Sequence, residues 1–199
     1  MPQDRQIAVI VGSLRRESFS RKVALNLARL APAHLKLGIV EIGDLPHYDE
    51  DAEKDGPPAE WTRFRSQIAP ADGVLFVTPE YNRSIPGALK NAIDVGSRPY
   101  GKSVWAKKPA AIVSVTPGAL GAFGANHHLR QSAVFLDLPM MPQPEAYLSG
   151  VGKWFGEDGR ITSEDTNRFL AGFMSAYADW VEKLLRGPGE LADDARGTI

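Results

Sequence analysis

The chain has 199 residues, of which 43% are hydrophobic and 24% are charged, and its formal net charge is −1. This composition is ordinary for one globular domain, and a near-neutral chain lacks the broad positive field that non-specific nucleic-acid binding requires, so no nucleic-acid partner is expected. The absence of cysteine excludes disulfides, iron–sulfur clusters and thiol redox chemistry. Any redox activity must therefore come from a bound cofactor.

The apolar runs of the sequence predict neither secretion nor membrane insertion. The N-terminal residues Met1–Gln6 are polar and are not followed by a signal-peptide core. The longest uninterrupted apolar run, Ile7–Val11, has five residues, far fewer than the roughly 20 that a membrane-spanning helix needs. We therefore expect a cytoplasmic protein.

Strand and helix patterns alternate along the chain. Short apolar runs predict buried strands at Ile7–Val11, Gly73–Thr78 and Ala110–Val115. Alternation predicts a second strand at Leu35–Ile42, and a weaker pattern predicts a short fifth strand near Leu138–Met141. Amphipathic or proline-initiated segments predict helices from about Ser20 to Pro32, after Pro57-Pro58, from Ser84-Ile85-Pro86 to about Val95, and over Ala125, Leu129, Ala133 and Leu136. The segment 43–58 is interpreted as a surface loop.

A last helix is predicted to begin near Thr162, with Asp165 as its capping-box partner. Its core stripe is predicted to consist of Phe169, Phe173, Ala176, Trp180 and Leu184. We interpret residues 1–186 as one domain and residues 187–199 as a flexible C-terminal tail.

The alternation of strands and helices indicates right-handed crossovers and a parallel sheet that is covered on both faces. Five strands point to a flavodoxin-like three-layer α/β/α sandwich with strand order 2-1-3-4-5. Ligands bind such sheets at the carboxyl ends of the strands, between strands one and three. The loops after Val11, Thr78 and Val115 are therefore expected to converge.

The first of these loops, residues 12–21, has the composition of a phosphate site. Ser13, Ser18 and Ser20 supply hydroxyls, Arg15 supplies a guanidinium, and a helix N-terminus follows directly. Neither G-x-x-x-x-G-K-[ST] nor G-x-G-x-x-G is present, which favours a mononucleotide over a Walker-type or dinucleotide ligand. A solvated strand-to-helix turn with serine caps remains the alternative.

The second and third loops are compatible with a flat heterocycle. In residues 78–87 two prolines stiffen the chain, Tyr81 offers a planar face, and the amides of Glu80 to Asn82 are placed to face a polar ring edge. In residues 114–124 glycines and alanines allow the backbone to approach a ring closely. A turn with a helix cap, and a flexible connection, are the respective alternatives.

Together these loops resemble the NADPH-dependent FMN reductase family, which includes quinone and chromate reductases and related azoreductases. The resemblance covers nearly the whole chain and rests on Gly12-Ser13-Leu14-Arg15 with Ser18 and Ser20, on Pro79-Glu80-Tyr81-Asn82 before Ser84-Ile85-Pro86-Gly87, and on Pro117-Gly118 ahead of His128-Leu129-Arg130-Gln131.

The resemblance implies FMN as a non-covalent cofactor and NADPH or NADH as co-substrate. The implied phosphate ligands are Ser13, Arg15, Ser18 and Ser20, and the implied ring contacts are Pro79, Glu80, Tyr81, Asn82 and Ser84, with Gly118 and Ala119 from the third loop. No side chain acts as a nucleophile in such enzymes, because hydride passes from the nicotinamide to the flavin N5 atom and the nicotinamide leaves before the acceptor enters. A small-molecule acceptor and a homodimer or homotetramer are also implied.

Several other residues attract attention without a firm role. The pair His127-His128 lacks a third ligand at a useful spacing, so no metal site is expected. By the resemblance, His127 lies near a subunit contact and Glu145 belongs to an interface network, but an ordinary polar face and an ordinary loop acid are the simpler readings. Among the tryptophans, which mostly serve packing, Trp105 is the one candidate for lining an acceptor site.

Two alternatives from other functional classes stay open. A flavodoxin-like electron carrier would bind FMN and exchange single electrons with proteins, although such carriers tend to be strongly acidic. A nucleotide-binding regulatory domain would bind no flavin and would oxidise no NAD(P)H.

Overall fold

A parallel sheet of five strands forms the middle layer of the protein, in the order β2-β1-β3-β4-β5. This computed structural model describes residues 3–186, so the predicted tail of residues 187–199 lies outside the described part. The strands are β1 (Arg5–Val11), β2 (Leu35–Val40), β3 (Gly73–Thr78), β4 (Ala110–Val115) and β5 (Ala146–Leu148). The predicted flavodoxin-like order is confirmed.

Helices cover both faces of this sheet. They are α1 (Phe19–Leu30), α2 (Glu50–Asp55), α3 (Ala59–Ile68), α4 (Gly87–Gly96), α5 (Phe123–Phe135) and α6 (Glu164–Leu185). Helices α3, α4 and α5 pack on one face around Trp61, Phe64 and Leu89. Helices α1 and α6 pack on the other face around Leu27 and Phe173. Every residue of β3 and β4 is buried, which is why these strands have continuous apolar sequences.

Two predicted boundaries in the middle of the chain are wrong. The supposed loop 43–58 contains the helix α2, in which no residue is buried, so no amphipathic pattern marked it. Its one signal is Asp49, whose side chain accepts from the Asp51 amide as an N-cap. The helix α4 begins at Gly87, and Pro86 is its extended N-cap instead of a first-turn residue.

The fifth strand also lies later than predicted. The segment 138–141 forms only one bridge, between Met140 and Ala110, and the strand that pairs with β4 is Ala146–Leu148. Pro142 has no amide hydrogen with which to extend the earlier ladder. The apolar run 138–141 therefore did not mark the fifth strand, which lies instead in the short Ala-Tyr-Leu segment, where buried and partly buried side chains alternate.

The helix α6 differs from its prediction in both its cap and its buried face. Ser163, not Thr162, is the N-cap, and its hydroxyl accepts from the amide of Thr166. The buried residues are Leu170, Phe173, Met174, Tyr177, Ala178 and Val181. Only Phe173 belongs to the predicted stripe, because the true face is rotated by one residue, or about 100°. No helix within residues 3–186 is long and apolar enough to span a membrane.

Candidate cofactor site

The three loops at the carboxyl ends of β1, β3 and β4 line one pocket of about 270 Å³, as the sequence predicted. We call the loops L1 (residues 12–18), L2 (79–86) and L3 (116–122). The lining residues are Ser13, Arg15, Phe19, Ser20, Pro79, Glu80, Tyr81, Val115, Thr116 and Pro117. L1 and L2 start side by side, because a Cβ atom at Gly12 would lie 2.6 Å from the Thr78 hydroxyl oxygen.

L1 brings positive charge and hydrogen-bond donors to one end of the pocket. The Ser18 hydroxyl accepts from the Arg21 amide as the N-cap of α1, and the first turn of α1 holds no acidic residue. The amides of Phe19 and Ser20 precede the first intrahelical bonds and so have no partner within the helix. The Arg15 guanidinium lies 5.8 Å from the centre of the Phe19 ring. This end is suited to an anion.

L2 is a tight hairpin whose two central residues adopt a left-handed backbone. The Tyr81 amide donates to the Ser84 carbonyl at 2.9 Å, and the Ser84 amide donates to the Tyr81 carbonyl at 3.0 Å. Asn82 and Arg83 have φ angles of 51° and 63°, as in a type I′ turn. The Tyr81 amide is thus engaged within the hairpin, which leaves the Glu80 and Asn82 amides as the candidate donors to a ring. The Tyr81 side chain is exposed at the pocket.

The Glu80 side chain points to the start of α5. Its Oε2 atom accepts from the Ala125 amide at 3.1 Å, and its Oε1 atom lies 3.6 Å from the Arg83 guanidinium. A Cβ atom at Gly124 would lie only 2.7 Å from the Arg83 carbonyl oxygen. L2 therefore packs directly on the first turn of α5, where only glycine allows so close an approach.

Five of the predicted site residues lie outside the pocket lining. Ser18 is buried as the cap of α1, Asn82 occupies the hairpin turn, and Ser84 lines a neighbouring groove with His128, whose Nδ1 atom is 2.8 Å from the Ser84 hydroxyl. In L3, Gly118 and Ala119 are exposed beyond Thr116 and Pro117. The remaining six, Ser13, Arg15, Ser20, Pro79, Glu80 and Tyr81, line the pocket together.

Sequence reasoning missed four lining residues, Phe19, Val115, Thr116 and Pro117. The signal for the last three was available, since they stand at the carboxyl end of a predicted strand. Phe19 lies between Ser18 and Ser20, which were both predicted as phosphate ligands, but its own apolar side chain cannot bind a phosphate. Its position beside Arg15 becomes evident only from the fold.

A polar chain links three residues beside L3. The Tyr147 hydroxyl donates to Glu145 at 2.7 Å, and His127 Nε2 lies 3.1 Å from the same hydroxyl. Burial and the hydrogen bond to Glu145 raise the pKa of Tyr147 to about 12. The interface role suggested for His127 and Glu145 stays a prediction.

Two further expectations concern Trp105 and metals. Trp105 is 0% exposed, and its indole N–H donates to the Ile93 carbonyl at 2.9 Å. It is a core residue, so its assignment to an acceptor site was wrong. Within residues 3–186, no group of three or more His, Cys, Asp or Glu side chains is arranged to hold a metal ion.

Similarity to known proteins agrees with this architecture. The sequence profile described as NADPH-dependent FMN reductase matches residues 5–153. A quinone reductase of Pseudomonas putida is 59% identical over 182 residues, which cover 92% of this chain and 97% of the relative. A 2-hydroxy-1,4-benzoquinone reductase of a Burkholderia species is 49% identical over 176 residues, covering 88% and 96%.

A solved structure extends the similarity to three dimensions. FerB, a flavoenzyme NAD(P)H:(acceptor) oxidoreductase from Paracoccus denitrificans, superimposes with a TM-score of 0.85 at 43% identity. The match covers 90% of this chain and 98% of FerB. This chain is therefore a member of the NADPH-dependent FMN reductase family, which confirms the prediction of an NAD(P)H-dependent oxidoreductase with FMN as its cofactor.

Proposed function

We propose that this protein is a cytoplasmic quinone reductase that binds FMN in the pocket between L1, L2 and L3. The observation that carries the proposal is the pocket itself. It joins a basic, hydroxyl-bearing helix N-terminus, with Arg15 and Ser20, to a stiff hairpin that presents Tyr81. The quinone as acceptor is inferred from relatives up to 59% identical that are named quinone reductases.

The residues of L1 and of the first turn of α1 fit the phosphate end of FMN. A phosphate dianion needs several donors, and Ser13, Arg15, Ser20 and the first amides of α1 supply them without a metal. Ser18 would act indirectly, since its hydroxyl holds the helix start by capping the Arg21 amide. The phosphate would also supply the negative charge that stabilises a helix N-terminus, because the first turn of α1 has no acidic side chain of its own.

The residues of L2 and L3 fit the ring end. Pro79, Glu80 and Tyr81 form one wall of the pocket, and Val115, Thr116 and Pro117 form the other. When bound, FMN supplies two-electron transfer from NAD(P)H to the acceptor. The protein contributes orientation, and no side chain is required as a nucleophile.

Nicotinamide and acceptor are proposed to occupy the same open side of the pocket in turn, which is a ping-pong sequence. The exposed Tyr81 and the exposed residues 117–120 of L3 border that side. An open site of this kind is also compatible with azo compounds, chromate or free flavin as acceptors. Double-reciprocal plots of the initial rate against one substrate, at several concentrations of the other, are expected to give parallel lines. Intersecting lines would contradict the ping-pong order.

The phosphate assignment is tested by comparing Arg15→Ala with Arg16→Ala. Both side chains are exposed in L1, but only Arg15 lines the pocket. A charge-assisted hydrogen bond contributes about 1.5–3 kcal/mol, so Arg15→Ala is expected to weaken FMN binding by about 10- to 150-fold. Arg16→Ala should change the Kd by about twofold or less. Equal Kd values for Arg15→Ala and the unmodified protein, measured by flavin fluorescence quenching, would remove Arg15 from the site.

A homo-oligomer is proposed from an exposed apolar patch on the α5 side of the sheet. Tyr100, Val134 and Phe135 are 86%, 83% and 80% exposed, and Tyr100 and Phe135 border the same groove. These are the three highest exposures among the large apolar side chains of the described residues, and contiguous exposed apolar patches mark interaction sites. A second copy of this chain is the partner that the resemblance implies.

Sedimentation velocity of Phe135→Glu tests this interface. We expect the variant to sediment as a smaller species than the unmodified protein, because a buried carboxylate would lack a partner. Leu25→Glu is the control, since Leu25 is also exposed but lies on α1 at the opposite face of the sheet. A monomeric unmodified protein, or equal effects of both substitutions, would contradict the proposal.

A further inference from the structure

We propose that Glu80 is a positioning residue that holds L2 against the start of α5 and thereby sets the distance between the two walls of the pocket. The inference deepens the proposed function, since its consequence for binding rests on FMN occupying the pocket. It differs from the role implied by the family resemblance, in which Glu80 contacts the flavin directly.

Helix α5 lacks a cap from its own sequence. Its N-cap residue, Ala122, has the left-handed φ of 56°, and it provides no side-chain hydrogen bond. No acidic residue stands in the first turn of α5. The Ala125 amide instead donates to Glu80 Oε2 at 3.1 Å, across 45 positions of sequence. Glu80 thus performs from L2 the task that an Asp or Ser N-cap performs locally.

The surrounding contacts hold the Glu80 carboxylate in this place. Its side chain is only 14% exposed, and Arg83 Nη1 lies 3.6 Å from the other carboxylate oxygen. A Cβ atom at Gly124 would lie 3.0 Å from Glu80 Oε2, so the carboxylate lies directly against the first turn of α5. Both oxygens therefore face protein groups, which makes the carboxylate a poor direct ligand for a cofactor.

The position of α5 matters because L3 leads directly into it. The lining residues Val115, Thr116 and Pro117 belong to β4 and L3, while the lining residues Pro79 and Tyr81 belong to L2. The hydrogen bond from Ala125 to Glu80 joins these walls close to the pocket. A second link, between Ser84 and His128 at 2.8 Å, lies one turn further along α5. Loss of Glu80 should let the walls move apart without unfolding the sheet.

The test measures the helix end and the cofactor separately in Glu80→Ala and Glu80→Gln. In the FMN-free protein, Glu80→Ala should raise the hydrogen-exchange rate of the Ala125 amide about tenfold or more, because its acceptor is lost. FMN binding should weaken about tenfold or more, with a changed visible circular dichroism of any bound flavin. Glu80→Gln keeps an acceptor oxygen and should move both quantities less than Glu80→Ala.

Ser163→Ala is the matched control, because Ser163 caps one amide, that of Thr166, at the start of α6. This variant should speed exchange at Thr166 and leave FMN affinity and the flavin spectrum unchanged. The proposal is overturned if Ala125 exchange is unchanged in both Glu80 variants. It is also overturned if exchange rises while FMN affinity and dichroism stay as in the unmodified protein. Failure of the unmodified protein to bind FMN would instead refute the proposed function, and the Ala125 exchange rate would still report on the contact.

Discussion

Gly124 offers a sharp test of the contact between L2 and α5, because the same substitution elsewhere should have the opposite effect. A Cβ atom at Gly124 would meet the Arg83 carbonyl oxygen at 2.7 Å and Glu80 Oε2 at 3.0 Å. A Cβ atom at Gly172, in the middle of α6, would meet nothing within 4 Å. Both glycines lie in helices without a left-handed φ.

The two substitutions therefore differ in sterics and share the gain in helix propensity. Gly172→Ala should increase the free energy of unfolding by about 0.5–1 kcal/mol, since alanine is the better helix former. At Gly124 the new methyl group must displace backbone, and overpacking of this kind costs about 1–3 kcal/mol. With the middle of each range, the propensity gain offsets part of this cost, and we expect Gly124→Ala to lose about 1 kcal/mol of unfolding free energy.

Urea unfolding of the FMN-free protein provides the comparison, followed by FMN titration of both variants. Gly124→Ala should be less stable than the unmodified protein and should bind FMN more weakly, because L2 has to shift. Gly172→Ala should be more stable and should bind FMN normally. If Gly124→Ala proves as stable as Gly172→Ala, L2 does not pack on α5 as described.

Two further predictions concern pH. Arg5 donates to both Glu182 carboxylate oxygens at 2.7 and 2.9 Å and holds the pKa of Glu182 below its usual 4.5. This stabilisation is present above the unfolded-state pKa and is lost as pH falls through the folded-state pKa. Glu182→Gln should therefore cost about 1 kcal/mol near pH 7 and almost nothing in strong acid, by urea unfolding at each pH; a pH-independent difference would contradict the ion pair. Burial raises the pKa of Tyr177 well above 10, so stability should decline once the unfolded chain ionises above about pH 10. Tyr177→Phe should decline less steeply in the same alkaline titration.

The sequence predicted the sheet well where burial is complete. In β3 and β4 every side chain is buried, so the apolar runs end where the strands end. It failed where two patterns compete, as in α6, where the predicted Phe169 is exposed and its neighbour Leu170 is buried. Both residues are apolar, so periodicity alone did not select the face.

The site was predictable to the level of loops and not of side-chain partners. Strand order alone brings L1, L2 and L3 together, because carboxyl ends of parallel strands share an edge. The hydrogen bond between Glu80 and Ala125 joins residues 45 positions apart, and no local pattern marks it. The hairpin that engages the Tyr81 amide was not predicted for another reason. Arg83 is an unusual residue for a turn position with a left-handed backbone, so the sequence carries no turn signal there.

The most direct test of the central claim is the absorbance spectrum of the FMN-loaded protein during anaerobic addition of NADPH and then of benzoquinone. A protein-bound flavin spectrum that NADPH bleaches and benzoquinone restores is the predicted result. Bound flavin that NADPH leaves oxidised would favour an electron carrier, and protein that retains no flavin after incubation with FMN would contradict the proposed site.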